Sequence, residues 1–262
     1  MRTHAIKIST TCILALFGAA AAQADIVGVT AAGGSDGLLS LVNTADGSSI
    51  TQDLGEQIAQ IAIGDQYSLT SAVADFITSA GGLANIQFAV TAGSATNGTS
   101  AATYLTSSKN LTTPNVANGV RGTWYSNFSN LVTKLNTIDA TPGNISYGPF
   151  ASGVNGNYVS GGHDDWGTAG TCVANSTICN LGLATADLFL YTVNFGTAPT
   201  GFASYSKLDA ANGGAKAVFD VANSTLNIVS ASTVPAPAAG WLLLTGLGGL
   251  LVKARRRVAS SA

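Results

Sequence analysis

Apolar and polar residues alternate over much of the middle of the chain, as the strands of a half-buried β-sheet require. Strand-like alternation occurs in residues 26–30, 38–43, 85–91, 102–106, 187–195, 215–221 and 226–229. The same region is rich in Gly, Ala, Ser, Thr and Asn, a composition that favours turns and short strands over long surface helices. We therefore predict a mainly β domain.

Two segments have helical spacing instead. In residues 71–80 the apolar side chains recur at helical intervals, and two glycines follow as a C-terminal stop. The second segment has an apolar stripe at intervals of three and four, formed by Val116, Val120, Trp124, Phe128, Leu131, Leu135 and Ile138. Trp124 and Phe128 could serve as an aromatic ligand platform, but packing against the sheet is the favoured interpretation. The predicted fold is one β-sandwich-like domain with one or two helices packed on it.

The N-terminus has the pattern of a secretory signal peptide. Basic residues precede an apolar run over residues 12–22, which is too short to span a membrane comfortably. Ala22-Gln23-Ala24 then provides an Ala-x-Ala cleavage site. We predict that residues 1–24 are a signal peptide, cut between Ala24 and Asp25, with retention as a membrane anchor as the alternative.

The C-terminus, residues 234–262, combines three features. The motif Val234, Pro235, Ala236, Pro237 and Ala238 interrupts regular structure, because two prolines remove backbone donors and restrict their neighbours. An apolar stretch follows to residue 252, at the lower limit for a transmembrane helix, and the basic residues Arg255, Arg256 and Arg257 come after it. The arginines are expected to stay in the cytoplasm. A plain tail anchor is the simpler alternative.

This combination resembles the PEP-CTERM sorting signals of Gram-negative bacteria, in their VPLPA-type variant. The match rests on Val234, Pro235, Pro237 and Ala238, on Trp241-Leu242-Leu243-Leu244 and on the arginine cluster, while Ala236 departs from the usual Leu. The resemblance covers about the last tenth of the chain. It implies export, transient anchoring in the inner membrane, processing by an exosortase and an association with exopolysaccharide. Residues 37–55 also resemble the paired-strand opening of many exported proteins that carry such a tail.

Charge is distributed unevenly along the chain. The formal net charge is −2, but six of the eleven basic residues lie in the two terminal segments. Residues 25–233 hold five basic and all thirteen acidic residues, so the exported domain carries about −8. A nucleic-acid-binding role is excluded, because phosphate contacts need a basic surface.

Two polar segments of the domain are candidates for binding or cross-linking. The first is the cluster of His163, Asp164, Asp165 and Trp166, where the carboxylates could bind calcium and the indole could stack on a sugar. A solvated turn is the favoured interpretation, because Asp and Gly dominate turns. The second is the pair Cys172 and Cys179, which we expect to form a short-loop disulfide in an oxidising compartment. A zinc site lacks enough Cys and His ligands, and buried free thiols remain the alternative.

The catalytic inventory of residues 25–233 is small, with His163 and Glu56 as the only residues of their kinds. Gly33-Gly34-Ser35-Asp36-Gly37 matches the Gly-x-Ser-x-Gly pattern of hydrolases, but a predicted strand follows it where that motif needs a helix. We therefore predict no catalytic residues, no metal site and no cofactor.

The leading functional hypothesis is a non-enzymatic protein of the cell envelope or extracellular matrix, with signal peptidase and an exosortase as partners during export. The alternative is a secreted domain that binds or cleaves carbohydrate and acts on exopolysaccharide.

Overall fold

A computed structural model describes residues 26–95, 102–108, 116–138, 145–158 and 181–231. These residues contain two α-helices, α1 (Ser71–Ser79) and α2 (Arg121–Ile138). They also contain eleven strands: β1 (Asp36–Asn43), β2 (Ser49–Gln57), β3 (Gln66–Ser68), β4 (Ile86–Ala95), β5 (Ala102–Ser108), β6 (Ser146–Phe150), β7 (Gly182–Leu183), β8 (Leu188–Phe195), β9 (Ser204–Lys207), β10 (Ala215–Asp220) and β11 (Thr225–Ser230). The fold is mainly β, as the alternation pattern predicts.

The eleven strands belong to one antiparallel sheet with the order β3-β11-β10-β8-β5-β4-β1-β2-β6. Strand β7 pairs with β4, and β9 pairs with β8. The sheet curls until its two ends meet. At the junction the Gln52 side chain donates to the Ser68 carbonyl over 2.8 Å and accepts from the Thr70 amide over 3.0 Å, and the hydroxyls of Thr70 and Ser146 are hydrogen-bonded. Side chains thus complete the hydrogen bonding between strands that do not pair.

The inner face of the curled sheet, which carries Leu39, Leu41, Phe88 and Val90, holds one apolar core. Helix α1 begins after Thr70, whose hydroxyl accepts a hydrogen bond from the Val73 amide. Its buried residues, Val73 and Phe76, complete this core. The helical spacing of the segment 71–80 is confirmed.

The outer face of the sheet holds a second core beneath α2, where Trp124, Phe128 and Leu131 pack on residues of β1, β4, β5 and β8. Trp124 makes edge-to-face contacts with Tyr104 and Phe195, each with ring centroids 5.4 Å apart. Trp124 and Phe128 are almost completely buried. The packing interpretation of the aromatic stripe is therefore confirmed in preference to a ligand platform.

Six of the seven segments with strand-like alternation form strands, and β1 and β2 form the expected hairpin. The exception is residues 26–30, for which the strand prediction is wrong. Here the amide of Ile26 donates to the Asn136 side chain and the amide of Val27 donates to Asp36, so side chains take the place of a neighbouring strand. The apolar residues of this segment are buried, and this burial produced the misleading pattern.

Helix α2 also begins later than the apolar stripe suggests. Val116 precedes the helix, and its carbonyl accepts from the Ala203 amide. A short 3₁₀ turn, Asn118–Val120, then leads into the helix. Val116 belongs to the same core as the stripe although it lies on an extended segment.

Candidate functional site

Most residues that the sequence nominates for function lie outside the described residues. This applies to the cluster 163–166, to Cys172 and Cys179, to the cleavage site at residues 24 and 25, and to the terminal segment 234–262 with its arginines. Calcium or sugar binding, disulfide formation and sorting therefore stay predictions.

Ser35, the central residue of the Gly-x-Ser-x-Gly pattern, is buried directly after a turn. Gly33 and Gly34 have φ values of +94° and +84°, which favour glycine, and β1 follows the turn. The Ser35 hydroxyl donates to the Asp36 carbonyl over 3.0 Å and accepts from the Gly93 amide over 2.8 Å. Its side chain is inaccessible to solvent. The segment is thus a glycine turn that leads into β1, and no helix follows Ser35.

Two carboxylates converge on the Tyr67 hydroxyl at one end of the curled sheet. This hydroxyl lies 2.7 Å from Oε2 of Glu56 and 3.3 Å from Oδ2 of Asp65. Burial, with the nearby negative charges adding to it, raises the pKa of Tyr67 far above its ordinary value, so the phenol stays a neutral donor. Within the described ranges no group of three His, Cys, Asp or Glu residues is placed to hold a metal ion. The arrangement connects β2 to β3.

Asp53 is a buried carboxyl group on the outer face of β2 and is only 3% exposed. Burial raises its pKa to about 6, the Gly55 amide opposes the shift through a 2.8 Å hydrogen bond, and the charge of Asp36 adds to it. Asp36 itself accepts from the Val27 amide over 2.7 Å. Asp36 thus connects the segment before β1 to the sheet, while Asp53 bonds within β2.

A polar pocket of about 400 Å³ lies where β4, β5 and β8 meet the segment that contains Thr30. Ser94, Thr103 and Asn194 contribute polar side chains to its wall, and the Thr103 hydroxyl donates to the Asn194 side-chain oxygen over 2.8 Å. Hydroxyl and amide groups can bind a neutral sugar or water equally well. The pocket therefore does not select a ligand class.

Two ammonium groups approach one aromatic ring on the outer face of the sheet. Nζ of Lys207 lies 3.9 Å from the centroid of the Phe189 ring, and Nζ of Lys216 lies 5.0 Å from it. Lys216 also forms an ion pair with Asp187 over 3.1 Å. Strand pairing places Phe189 beside Lys216, and Lys207 is at the end of β9. We call these four residues the cationic cluster.

The cationic cluster carries no sequence motif, because its members belong to three strands and to the turn before β8. One signal was present. The acidic domain has only five basic residues, and two of them, Lys207 and Lys216, lie close together in the chain. Their convergence on Phe189 requires the pairing of β9 and β10 with β8, which spacing alone does not reveal.

No helix among the described residues is long and apolar enough to cross a membrane. The chain matches no family model, no curated protein and no solved structure.

Proposed function

We propose that this protein is a non-enzymatic component of the cell envelope or extracellular matrix of a Gram-negative bacterium, exported through its N-terminal signal peptide and sorted through its C-terminal segment. The observation that carries the proposal is the order of three features after residue 233: the motif of Val234 to Ala238, an uncharged apolar stretch, and Arg255 to Arg257. A helix of this length, followed directly by arginines, suits an inner-membrane anchor with its charged end in the cytoplasm.

In this proposal residues 25–233 are one sandwich-like domain that an exosortase releases from the anchor and delivers to the surface. The closure of the sheet through Gln52, Thr70 and Ser146 supports a single domain, because it joins the first and last strands of the sheet order. The burial of Ser35 supports a non-enzymatic role, since a nucleophile must reach its substrate. The acidic surface suits a soluble domain outside the cell.

Deletion of residues 234–262 tests the proposal in a bacterium that makes an exosortase. We expect the protein truncated after residue 233 to accumulate in the periplasm or medium, whereas the full chain reaches the membrane and surface fractions. Replacing Arg255, Arg256 and Arg257 by Gln is the matched variant, because it keeps the apolar stretch and removes only the charges. We expect the Gln variant to be processed less efficiently. If the truncated protein fractionates like the full chain, the sorting proposal is contradicted.

The intact mass of the mature protein separates sorting from plain anchoring. Removal of residues 1–24 and of the C-terminal segment predicts a mass close to that of residues 25–233. A mature protein that keeps residues 239–257 would support a plain tail anchor instead. The same spectrum shows whether Cys172 and Cys179 are paired, because a disulfide lowers the mass by about two hydrogens.

A further inference from the structure

The outer face of the sheet changes character between its two halves. Beneath α2 it is buried, but over β10, β11 and β3 it is partly exposed to solvent. Strand pairing puts Phe189, Lys216 and Val229 in one row across β8, β10 and β11. Val218, Asn227 and Gln66 form the next row, and the alternate residues of these strands, such as Ala217 and Ile228, face the inner core. We call these two rows the open face.

The charges at the edge of the open face are incompletely balanced. Lys207 and Lys216 lie within about 9 Å of each other, since both ammonium groups are within 5.0 Å of one ring centroid. Lys216 is paired with Asp187, while Lys207 has no carboxylate within ion-pair distance among the described residues. The contact with Phe189 stabilises the two cations but does not neutralise them. A single anionic group between the two lysines would offset the excess charge.

The neighbouring side chains limit the kind of anion. Val229 is 37% exposed, and Phe189 is half-buried, so an apolar surface adjoins the lysines. One row further, the Gln66 amide nitrogen donates to the Asn227 side-chain oxygen over 3.0 Å, which places amide groups on the same face. At ordinary strand and residue spacings each row spans about 10 Å, the rows lie about 7 Å apart, and together they extend about 14 Å across four strands. Charged, apolar and amide groups within that area match the carboxylate, ring and hydroxyl groups of a sugar acid.

We propose that the cationic cluster and the open face bind a uronic acid unit of a glycan, with its carboxylate between Lys207 and Lys216. The acidic domain selects for a glycan whose charges are widely spaced, because a densely charged polymer would be repelled by the rest of the surface. Asp187 competes with the ligand for Lys216. This inference rests on the proposed function, which places the domain where such glycans occur.

Binding is measured on the full-length chain, purified in a non-ionic detergent, by saturation-transfer-difference NMR titration. The probe is a disaccharide of one glucuronic acid and one neutral sugar, with the corresponding neutral disaccharide and inorganic phosphate as separate arms. We expect binding of the sugar acid, weakened in 1 M salt, and much weaker binding of the other two. Phosphate that binds as tightly as the sugar acid, or no binding of the sugar acid, would overturn the proposal.

Charge variants localise the site. Lys207→Gln and Lys216→Gln should each lower the affinity for the sugar acid about two- to fivefold, the range for an exposed charge pair. Lys134→Gln is the matched control, because Lys134 is an exposed lysine on α2. The affinity of this variant for the sugar acid should equal that of the unaltered protein. Asp187→Asn should raise the affinity by removing the competing carboxylate.

Equal affinity in the lysine variants and the control would overturn the proposal, as would weaker binding in Asp187→Asn. Thermal unfolding of each variant verifies that it is folded at the titration temperature. Because purified protein is used, failure here leaves the sorting proposal intact, and failed sorting in cells leaves the binding result intact.

Discussion

The covered and open halves of the outer sheet face are built from similar alternating strands but have opposite surroundings. In the covered half, beneath α2, outward-facing Ser40, Thr51 and Thr91 are completely buried. In the open half, the corresponding positions hold Lys216, Val218 and Asn227, which keep partial contact with solvent. Alternation therefore identifies the two faces of a strand but not which face water reaches.

Burial changes the energetic role of a small polar side chain. The hydroxyls of Ser40 and Thr51 are hydrogen-bonded to each other over 2.9 Å, so both are satisfied. The Thr91 hydroxyl is buried and has no hydrogen-bond partner among the described residues. A buried hydroxyl without a partner loses its hydration without compensation. The covered half therefore contains both stabilising and destabilising polar groups, and substitutions can distinguish them.

The largest effect is expected at Trp124, the aromatic residue of α2 that packs on Tyr104 and Phe195. Trp124→Ala removes a fully buried ring and leaves a cavity, so we expect a loss of about 3 to 5 kcal/mol in the free energy of unfolding. Urea denaturation followed by circular dichroism measures it. Val229→Ala on the open face is the control and should cost less than about 1 kcal/mol. Similar losses in both variants would contradict the distinction between the halves.

The second effect concerns Asp53, whose raised pKa has a defined consequence for stability. The folded group takes up its proton near pH 6, whereas the unfolded group, with its ordinary pKa of 3.8, does so at lower pH. Between these values the folded domain binds more protons, so the contribution of Asp53 to stability falls as pH rises from about 4 to 6. Above pH 6 the buried charge costs about 1 to 3 kcal/mol.

Asp53→Asn should therefore stabilise the domain at pH 7.5 and have little effect at pH 4. The amide oxygen of Asn can still accept from the Gly55 amide. Asp46→Asn is the control, because hydrogen bonds from Ser48 lower the pKa of that exposed carboxyl. Loss of the Asp46 charge should therefore destabilise the domain at neutral pH. Urea midpoints at the two pH values measure both variants. If Asp53→Asn lowers the free energy of unfolding at pH 7.5, the charged Asp53 carboxylate stabilises the fold and the prediction is wrong.

A smaller effect is expected from the buried hydroxyls of the covered half. Thr91→Val replaces a hydroxyl that has no partner among the described residues with a methyl group, so we expect a gain of about 1 kcal/mol. Thr51→Val makes the same chemical change but leaves Ser40 without its partner, so we expect a loss of about 1 to 2 kcal/mol. Thermal unfolding of Thr91→Val and Thr51→Val measures the two changes in stability. Changes of the same sign in both variants would show that the hydrogen bond to Ser40 does not distinguish the two hydroxyls.

Periodic patterns predicted most of the longer elements of the fold, whereas β2, with nine residues, was expected only from the resemblance of residues 37–55 to a paired-strand opening. Strands β1, β4, β5, β8, β10 and β11 and both helices fall within or around the predicted segments. Strands β3, β6, β7 and β9 have two to five residues, too few for alternation to distinguish them from loops. Residues 26–30 show the converse error, since burial against α2 produces a strand-like pattern without strand pairing.

The candidate site was less predictable than the fold, because it is assembled by strand pairing. Asp187, Phe189, Lys207 and Lys216 carry no motif, and only the register of β8 with β9 and β10 brings them together. The segments that do carry motifs, such as Val234 to Ala238, predict sorting and leave open what the folded residues bind. Local patterns thus predict processing, whereas surface chemistry depends on contacts between distant residues.

The smallest effect is expected at the ion pair of the open half. Asp187 and Lys216 are 3.1 Å apart, but their side chains are 49% and 24% exposed, so water screens their attraction. Asp187→Asn should change the free energy of unfolding by less than about 1 kcal/mol, and a double-mutant cycle with Lys216→Gln measures the coupling. The same substitution should strengthen binding of a sugar acid, because it frees Lys216 while leaving the lysines in place. A stability loss comparable to that of Trp124→Ala would instead mean that this ion pair supports the fold, and the two halves would then differ in composition without differing in role.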